Sequence, residues 1–245
     1  MANTHSIDLE LSSSQYLSIT DGDQTGLDLT TDFTIEAWIK LEQLPSTAGN
    51  SFYIISKATT GSTLSYWIYI DFTNNKLTIN FSDNGAFDDH YTRMVSDNAI
   101  VDGDDVGEWV HIAVTVDISV PSAVMYKNTN VVADTVTASF ATSIYDSNST
   151  VMIGAVLDVE KYFDGLIDEV RVWSDVRTAQ EISDNYDKEL VGNEAGLVAY
   201  WKLNNSLLDE TANNNDLTNN GNATFSTDTP FGEAITAPFP TFFNS

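Results

Sequence analysis

The chain of 245 residues contains no cysteine. Disulfides, thiolate nucleophiles, thiolate metal sites and thiol redox switching are therefore excluded, while the compartment stays open. Basic side chains are scarce. Ten Lys and Arg stand against 36 Asp and Glu, a net charge of −26. Such a surface repels a phosphate backbone, so no nucleic-acid partner is expected, and no anionic lipid leaflet either. The excess charge also repels itself in the folded state, and bound divalent cations or high salt would relieve it. Long apolar runs are missing as well. No window approaches the roughly 18 consecutive apolar residues of a membrane helix. Met1 to Ser6 lacks the basic and apolar segments of a Sec-type signal. The expectation is a protein without membrane insertion, acting outside a cell by another export route or on a virus or cell surface.

What is present is period-2 alternation. Phe33, Ile35, Ala37, Ile39 and Leu41 share one face of a strand, and Thr34, Glu36, Trp38 and Lys40 share the other. Tyr66, Ile68, Ile70 and Phe72 repeat the pattern, as do Leu77, Ile79 and Phe81. Val110 to Val116, Val151 to Ala155 and Leu197 to Leu203 follow suit. This spacing marks strands with one buried face. Turn chemistry separates the runs: Asp71 to Asn75 bridges two strands, and Asn219-Asn220-Gly221-Asn222 predicts a tight hairpin. One helix interrupts the pattern. Thr178 and Glu181 form a capping-box pair, Ile182, Tyr186 and Leu190 recur every four residues, and Gly192 is a stop, so a short helix is predicted over 178–190. Length and pattern suit one β-sandwich domain.

The run Phe163-Asp164-Gly165-Leu166-Ile167-Asp168-Glu169-Val170-Arg171-Val172-Trp173, with the following SDVRTAQEI, resembles the signature of the laminin-G-like, concanavalin A-like lectin/glucanase superfamily. QYLSI at 15–19, DFTIEAWIKL at 32–41, EWVHIAVTV at 108–116 and AYWKLNNSLLDE further on fit the same family. The resemblance implies an all-β fold, a two-sheet antiparallel jelly-roll sandwich with a short helix. The expected domain is residues 1–233, followed by a tail at 234–245. Function is left open between lectins, adhesion modules, carbohydrate-binding modules and hydrolases.

Family members often hold a structural calcium, so the resemblance implies one here. Three acidic turns offer oxygen ligands: Asp21-Gly22-Asp23, Asp102-Gly103-Asp104, and Asp164-Gly165 with Asp168. The same residues also read as ordinary turn formers. Glycan recognition needs aromatic faces beside fixed polar groups. Ser82 to Arg93 supplies Phe87, Asp89, His90, Tyr91 and Arg93, and Trp67 lies with Tyr69 on the face opposite Tyr66. These aromatics either reach the surface or pack beneath loops.

No catalytic activity is expected. A retaining glucanase places two carboxyls about 5–5.5 Å apart, and the strand pattern that delivers them is missing. Asp8 and Glu10 form an isolated i, i+2 pair, Asp168 and Glu169 are expected on opposite faces, and His5, His90 and His111 belong to no triad.

The segment 234–245 carries no charged side chain, and Pro238 and Pro240 favour an extended path. Ile235, Phe239, Phe242 and Phe243 are candidate anchors, docking on their own domain or on a neighbouring subunit to build a homo-oligomer. Two readings follow: a calcium-binding structural or adhesion subunit, and a lectin-like glycan-binding module.

Overall fold

Alternation becomes strand almost everywhere it was read. The structure, a computed structural model, describes residues 3–59, 63–86, 88, 90–119, 122–138, 141–156 and 161–231. The strands begin with β1 (Ser6–Leu9), β2 (Tyr16–Ile19), β3 (Phe33–Leu41), β4 (Phe52–Lys57), β5 (Tyr66–Ile70) and β6 (Leu77–Ser82). They continue with β7 (Tyr91–Ser96), β8 (Trp109–Asp117), β9 (Ser122–Lys127), β10 (Asn130–Val132), β11 (Asp134–Val136) and β12 (Val151–Ile153). The last are β13 (Ala155–Val156), β14 (Lys161–Tyr162), β15 (Gly165–Trp173), β16 (Leu197–Trp201), β17 (Thr218–Asn220) and β18 (Thr224–Ser226).

Two antiparallel sheets of eight strands each form the sandwich. The first runs β10-β9-β8-β3-β15-β1-β18, with β16 also on β15; the second runs β11-β7-β6-β5-β4-β12-β2-β17. The inward residues of β3, β5, β6, β8 and β12 fill one core between them, among them Phe33, Tyr66, Ile79, Val114 and Ile153. Burying each such side chain contributes about 1.5–3 kcal/mol. The signature segment is β15, at the centre of the first sheet. Its first residues pair with β1 and its last with β16, and a bulge at Asp168–Arg171 separates the two registers on β3.

The outer face of the first sheet is not in water. Thr34, Glu36 and Trp38 are buried there. Helix α1 (Pro45–Ala48) is a single turn closed by Gly49 at φ 66° and was not legible in the pattern. Helix α2 (Ala179–Asn185) lies on the sheet face. Its Ile182 packs on Ala113 and Tyr126, and Tyr186 stacks on Trp38 with ring centroids 5.8 Å apart. The Thr178 hydroxyl accepts from the Glu181 N–H (3.2 Å), and the Glu181 carboxylate accepts from the Thr178 N–H (2.9 Å), completing the capping box.

The helix expected over 178–190 stops at Asn185. The Arg171 guanidinium donates to the carbonyls of Asn185 (2.9 Å) and Lys188 (2.6 Å), and Leu190 N–H donates to the Tyr200 hydroxyl (3.1 Å). Tertiary partners thus capture the groups that a longer helix would pair internally.

The Asp71–Asn75 turn joins β5 to β6 as read. The predicted hairpin at 219–222 is a corner instead: β17 belongs to the second sheet and β18 to the first. Gly221 (φ 82°) and Asn222 (φ 58°) supply the bend, and the Asn219 side chain accepts from Ala223 N–H and donates to Ala223 O. The local chemistry of a tight turn was right. Which strand each arm joins is set by pairing with β1 and β2.

Candidate metal centre and ligand surfaces

In β1, Ile7 and Leu9 point into the core, so Asp8 must point out. Glu10 follows the strand, and Glu42 follows β3. Gly165 brings these together. It sits at φ 130°, and a Cβ there would lie 2.2 Å from Lys40 O, so the pairing of β3 with β15 at this point depends on glycine. The carboxylate oxygens of Asp8, Glu10 and Glu42 come within 4.8 Å of one another. Asp164 borders them. It accepts from Leu11 N–H (3.0 Å) and from the Gln43 amide, and its carbonyl accepts from Glu42 N–H (3.3 Å). It thereby fixes both segments that carry the glutamates.

The charges at this rim are unbalanced. Burial and the Asp164 charge raise the pKa of Asp8. Burial, Asp8 and Asp164 raise that of Glu10, and burial with Glu10, Asp8 and Asp164 raises that of Glu42. Asp8 Oδ1 is buried and finds no hydrogen-bond donor among the described residues. An all-oxygen donor set without His or Cys fits a hard divalent cation. The cluster can hold such a metal.

Of the sequence candidates, only Asp164 lies here. Asp21 pairs with the buried ammonium of Lys57 (2.6 Å), and Asp23 accepts from the Thr20 hydroxyl (2.6 Å). Asp102 accepts from Asp104 N–H (2.9 Å), closing its own turn beside the Asp105–Lys127 ion pair (2.8 Å). Among the described residues, none of these acids joins a group of three that could share one ion.

Asp168 is 0% exposed. It accepts from the Asn3 amide (2.9 Å) and from Glu169 N–H (2.9 Å), and burial followed by the Glu169 charge raises its pKa well above the ordinary value. Glu169 does not take the opposite face, as alternation required. Its φ of 51° within the bulge turns it to the same side, where Asn3 reaches it at 3.4 Å. There it receives Arg171 (2.8 Å) and the Tyr200 hydroxyl (2.6 Å). Glu36 accepts from Trp173 (2.9 Å) and faces His111 Nε2 at 3.2 Å. Burial pushes Glu36 up, but His111, Arg171 and Trp173 more than offset it and leave its pKa lowered. Asp168, Glu169, Arg171 and Trp173 of the signature thus build a buried network under α2.

The expected glycan surface is also altered. Phe87 and Asp89 lie outside the described residues. His90 is exposed and paired with Asp83 at 3.0 Å. Tyr91 and Arg93 are half-buried. Trp67 is only 7% exposed, packed with Tyr53, Leu64, Tyr69 and Val156, so its face is covered rather than presented. With the Asn80 amide turned to accept, the Trp67 indole N–H donates to it at 2.7 Å. The tail anchors Ile235, Phe239, Phe242 and Phe243 fall outside the described residues too.

Asp8 and Glu10 were visible in the sequence only as an isolated pair. Glu42 gave no signal beyond its place after a strand.

The two eight-stranded antiparallel sheets define a concanavalin A-like jelly-roll domain. The chain belongs to the concanavalin A-like lectin/glucanases superfamily, whose laminin-G-like model matches residues 11–183. Among solved structures it is similar to a candidate carbohydrate-binding protein from Bacteroides ovatus ATCC 8483, with a TM-score of 0.64 and 19% identity over 94% of this chain. The chain spans 62% of that protein's length. It is also similar to a native heptameric SAP-like pentraxin from Limulus polyphemus, with a TM-score of 0.59 and 14% identity, covering 91% of this chain and 95% of that one. At these identities the likeness is one of fold. No curated protein sequence matches the chain.

Proposed function

We propose that this chain is a non-catalytic binding module that holds calcium at the Asp8–Glu10–Glu42 rim and recognises carbohydrate at a cell or particle surface. The observation that carries the reading is the rim: three carboxylates from two distant segments, beside a fourth on Asp164, with no balancing cation among the described residues. Calcium takes six to eight oxygen ligands; the carboxylates would supply part of that shell, and main-chain carbonyls and water the rest. Carbohydrate as the ligand class is supported by the family and by the Bacteroides ovatus neighbour. Calorimetric titration with calcium chloride should give saturable binding that Asp8→Asn with Glu42→Gln abolishes; an absence of heat would remove the metal. A glycan array run with calcium should show bound glycans, and a blank array would remove the carbohydrate reading. Assays on β-glucans should release no reducing sugar.

A structural or adhesion subunit is the second reading. It is favoured by the segment 234–245, uncharged and carrying Ile235, Phe239, Phe242 and Phe243 in a chain of net charge −26. Deleting it should reduce the particle size seen by light scattering if these residues dock on a neighbouring subunit. Unchanged size would remove that role.

A further inference from the structure

A second recess lies where β16 leaves the first sheet. It has a volume of about 380 Å³ and shares no lining residue with the acidic rim. Ligand sites of small molecules begin at roughly 300 Å³, so this one suits a single ring rather than a chain. Its wall is bent through two left-handed non-glycine residues, Leu203 (φ 56°) and Asn205 (φ 52°). The Asn204 side chain between them accepts from the N–H groups of Thr4 (2.7 Å) and His5 (3.0 Å) and donates to Glu189 Oε1 (2.6 Å). The recess is therefore held by contacts distant in sequence.

At its floor the Lys202 side chain is only 14% exposed. Its ammonium stands 3.4 Å from Glu210 Oε2 and 3.8 Å from Glu189 Oε2, with the Tyr200 ring 5.5 Å away. Both carboxylate distances exceed an ordinary hydrogen bond. The ammonium is ion-paired with both, and its three N–H groups leave it capacity to donate to a ligand as well. Leu208, 59% exposed, offers an apolar contact at the rim.

We infer that this recess binds one neutral pyranose through a pair of adjacent hydroxyls, which deepens and rests on the carbohydrate reading above. An ammonium only donates and a carboxylate only accepts, whereas a hydroxyl does both. One sugar hydroxyl accepts from Lys202 Nζ while donating to Glu210. Its neighbour donates to Glu189 Oε2. The C–H face of the ring lies on Leu208. An anionic ligand would meet two carboxylates, and a cationic one would meet Lys202, so the neutral hydroxyl pair is the chemistry that fits all three groups.

The test is saturation-transfer NMR on the full chain. The probes are methyl α-D-mannopyranoside, methyl α-D-glucopyranoside and methyl β-D-galactopyranoside, each to about 20 mM, where even millimolar binding saturates. At least one should bind saturably. Glu210→Gln and Lys202→Met should each weaken it about tenfold, or 1.4 kcal/mol. Glu210→Gln lies at the half-exposed edge and should leave the melting midpoint unchanged, so it reports on binding even if Lys202→Met disturbs folding. Binding that survives Glu210→Gln undiminished overturns the site and leaves the carbohydrate reading standing. No saturable signal from any probe also overturns the site; a positive glycan array then keeps the broader reading, and a blank one removes both.

Discussion

Two groups of carboxylates lie along strand β15 and its neighbours, and they are balanced in opposite ways. Under α2, Glu36 and Glu169 meet Arg171 and His111, with Trp173, Tyr200 and Asn3 supplying further donors. At the other end, Asp164 meets Asp8, Glu10 and Glu42, and no Lys, Arg or His of the described residues pairs with them. Ions taken fully out of water cost several kcal/mol each unless partnered, so the network under the helix is closed by the chain's own cations. The rim remains open to solvent, and an external cation can complete it. The first arrangement holds the fold together, and the second is available for binding.

The comparison breaks most visibly at Arg171. Arg171→Met should cost about 3–5 kcal/mol, because Glu36 and Glu169 stay buried without their cation. At about 2–4 °C per kcal/mol for a chain of this size, the melting midpoint should fall by roughly 6–20 °C. A fall of only a degree or two, read by circular dichroism, would mean that the network adds little.

Calcium gives the next effect. At about 100 times its dissociation constant it should stabilise the folded chain by about 2.7 kcal/mol, which is roughly 5–10 °C. The shift should vanish with chelator and with Asp8→Asn plus Glu42→Gln. An equal shift in that variant would place the ion elsewhere.

Acidity separates the rim acids from Glu36 by sign, whereas Asp168 and Glu169, like the rim, are pushed up by burial. Asp8, Glu10 and Glu42 have raised pKa values in the folded state, so folding favours their protonated forms. Without metal, their contribution should become more favourable as pH falls from 7 through the raised values, and should level off below the ordinary carboxylate range. Glu36 has a lowered pKa, so its contribution is present above the ordinary range and lost as pH falls through the lowered value. Subtracting the melting profile of the Asp8→Asn, Glu42→Gln variant from that of the unaltered chain isolates the rim. A difference that does not change with pH would refute the repulsion.

The smallest effect belongs to the helix that covers the network. Thr178→Ala removes one half of the capping box and should cost about 1 kcal/mol. Thermal melting should register the loss, while the calcium shift stays the same.

Much of this was legible beforehand. Period-2 alternation located β3, β5, β6, β8 and β12 because each buries one face in a common core. Thr178 and Glu181 announced the start of α2, since a capping box is a contact between neighbours in sequence. The end of α2 was not legible, because Arg171 reaches it from another element. Trp67 carried the pattern of an outward aromatic, but packing with Tyr53 and Val156 covers it.

The sequence by itself determined the strands, the family and the absence of thiol chemistry, since these rest on composition and on local periodicity. Only the tertiary structure decided which acids meet. Asp8 and Glu10 lie far in sequence from Glu42 and Asp164, and the pairing of β1 and β3 with β15 at Gly165 gathers them at one rim. A strand's own residues state which face a side chain takes. Its partners decide which charges it stands beside.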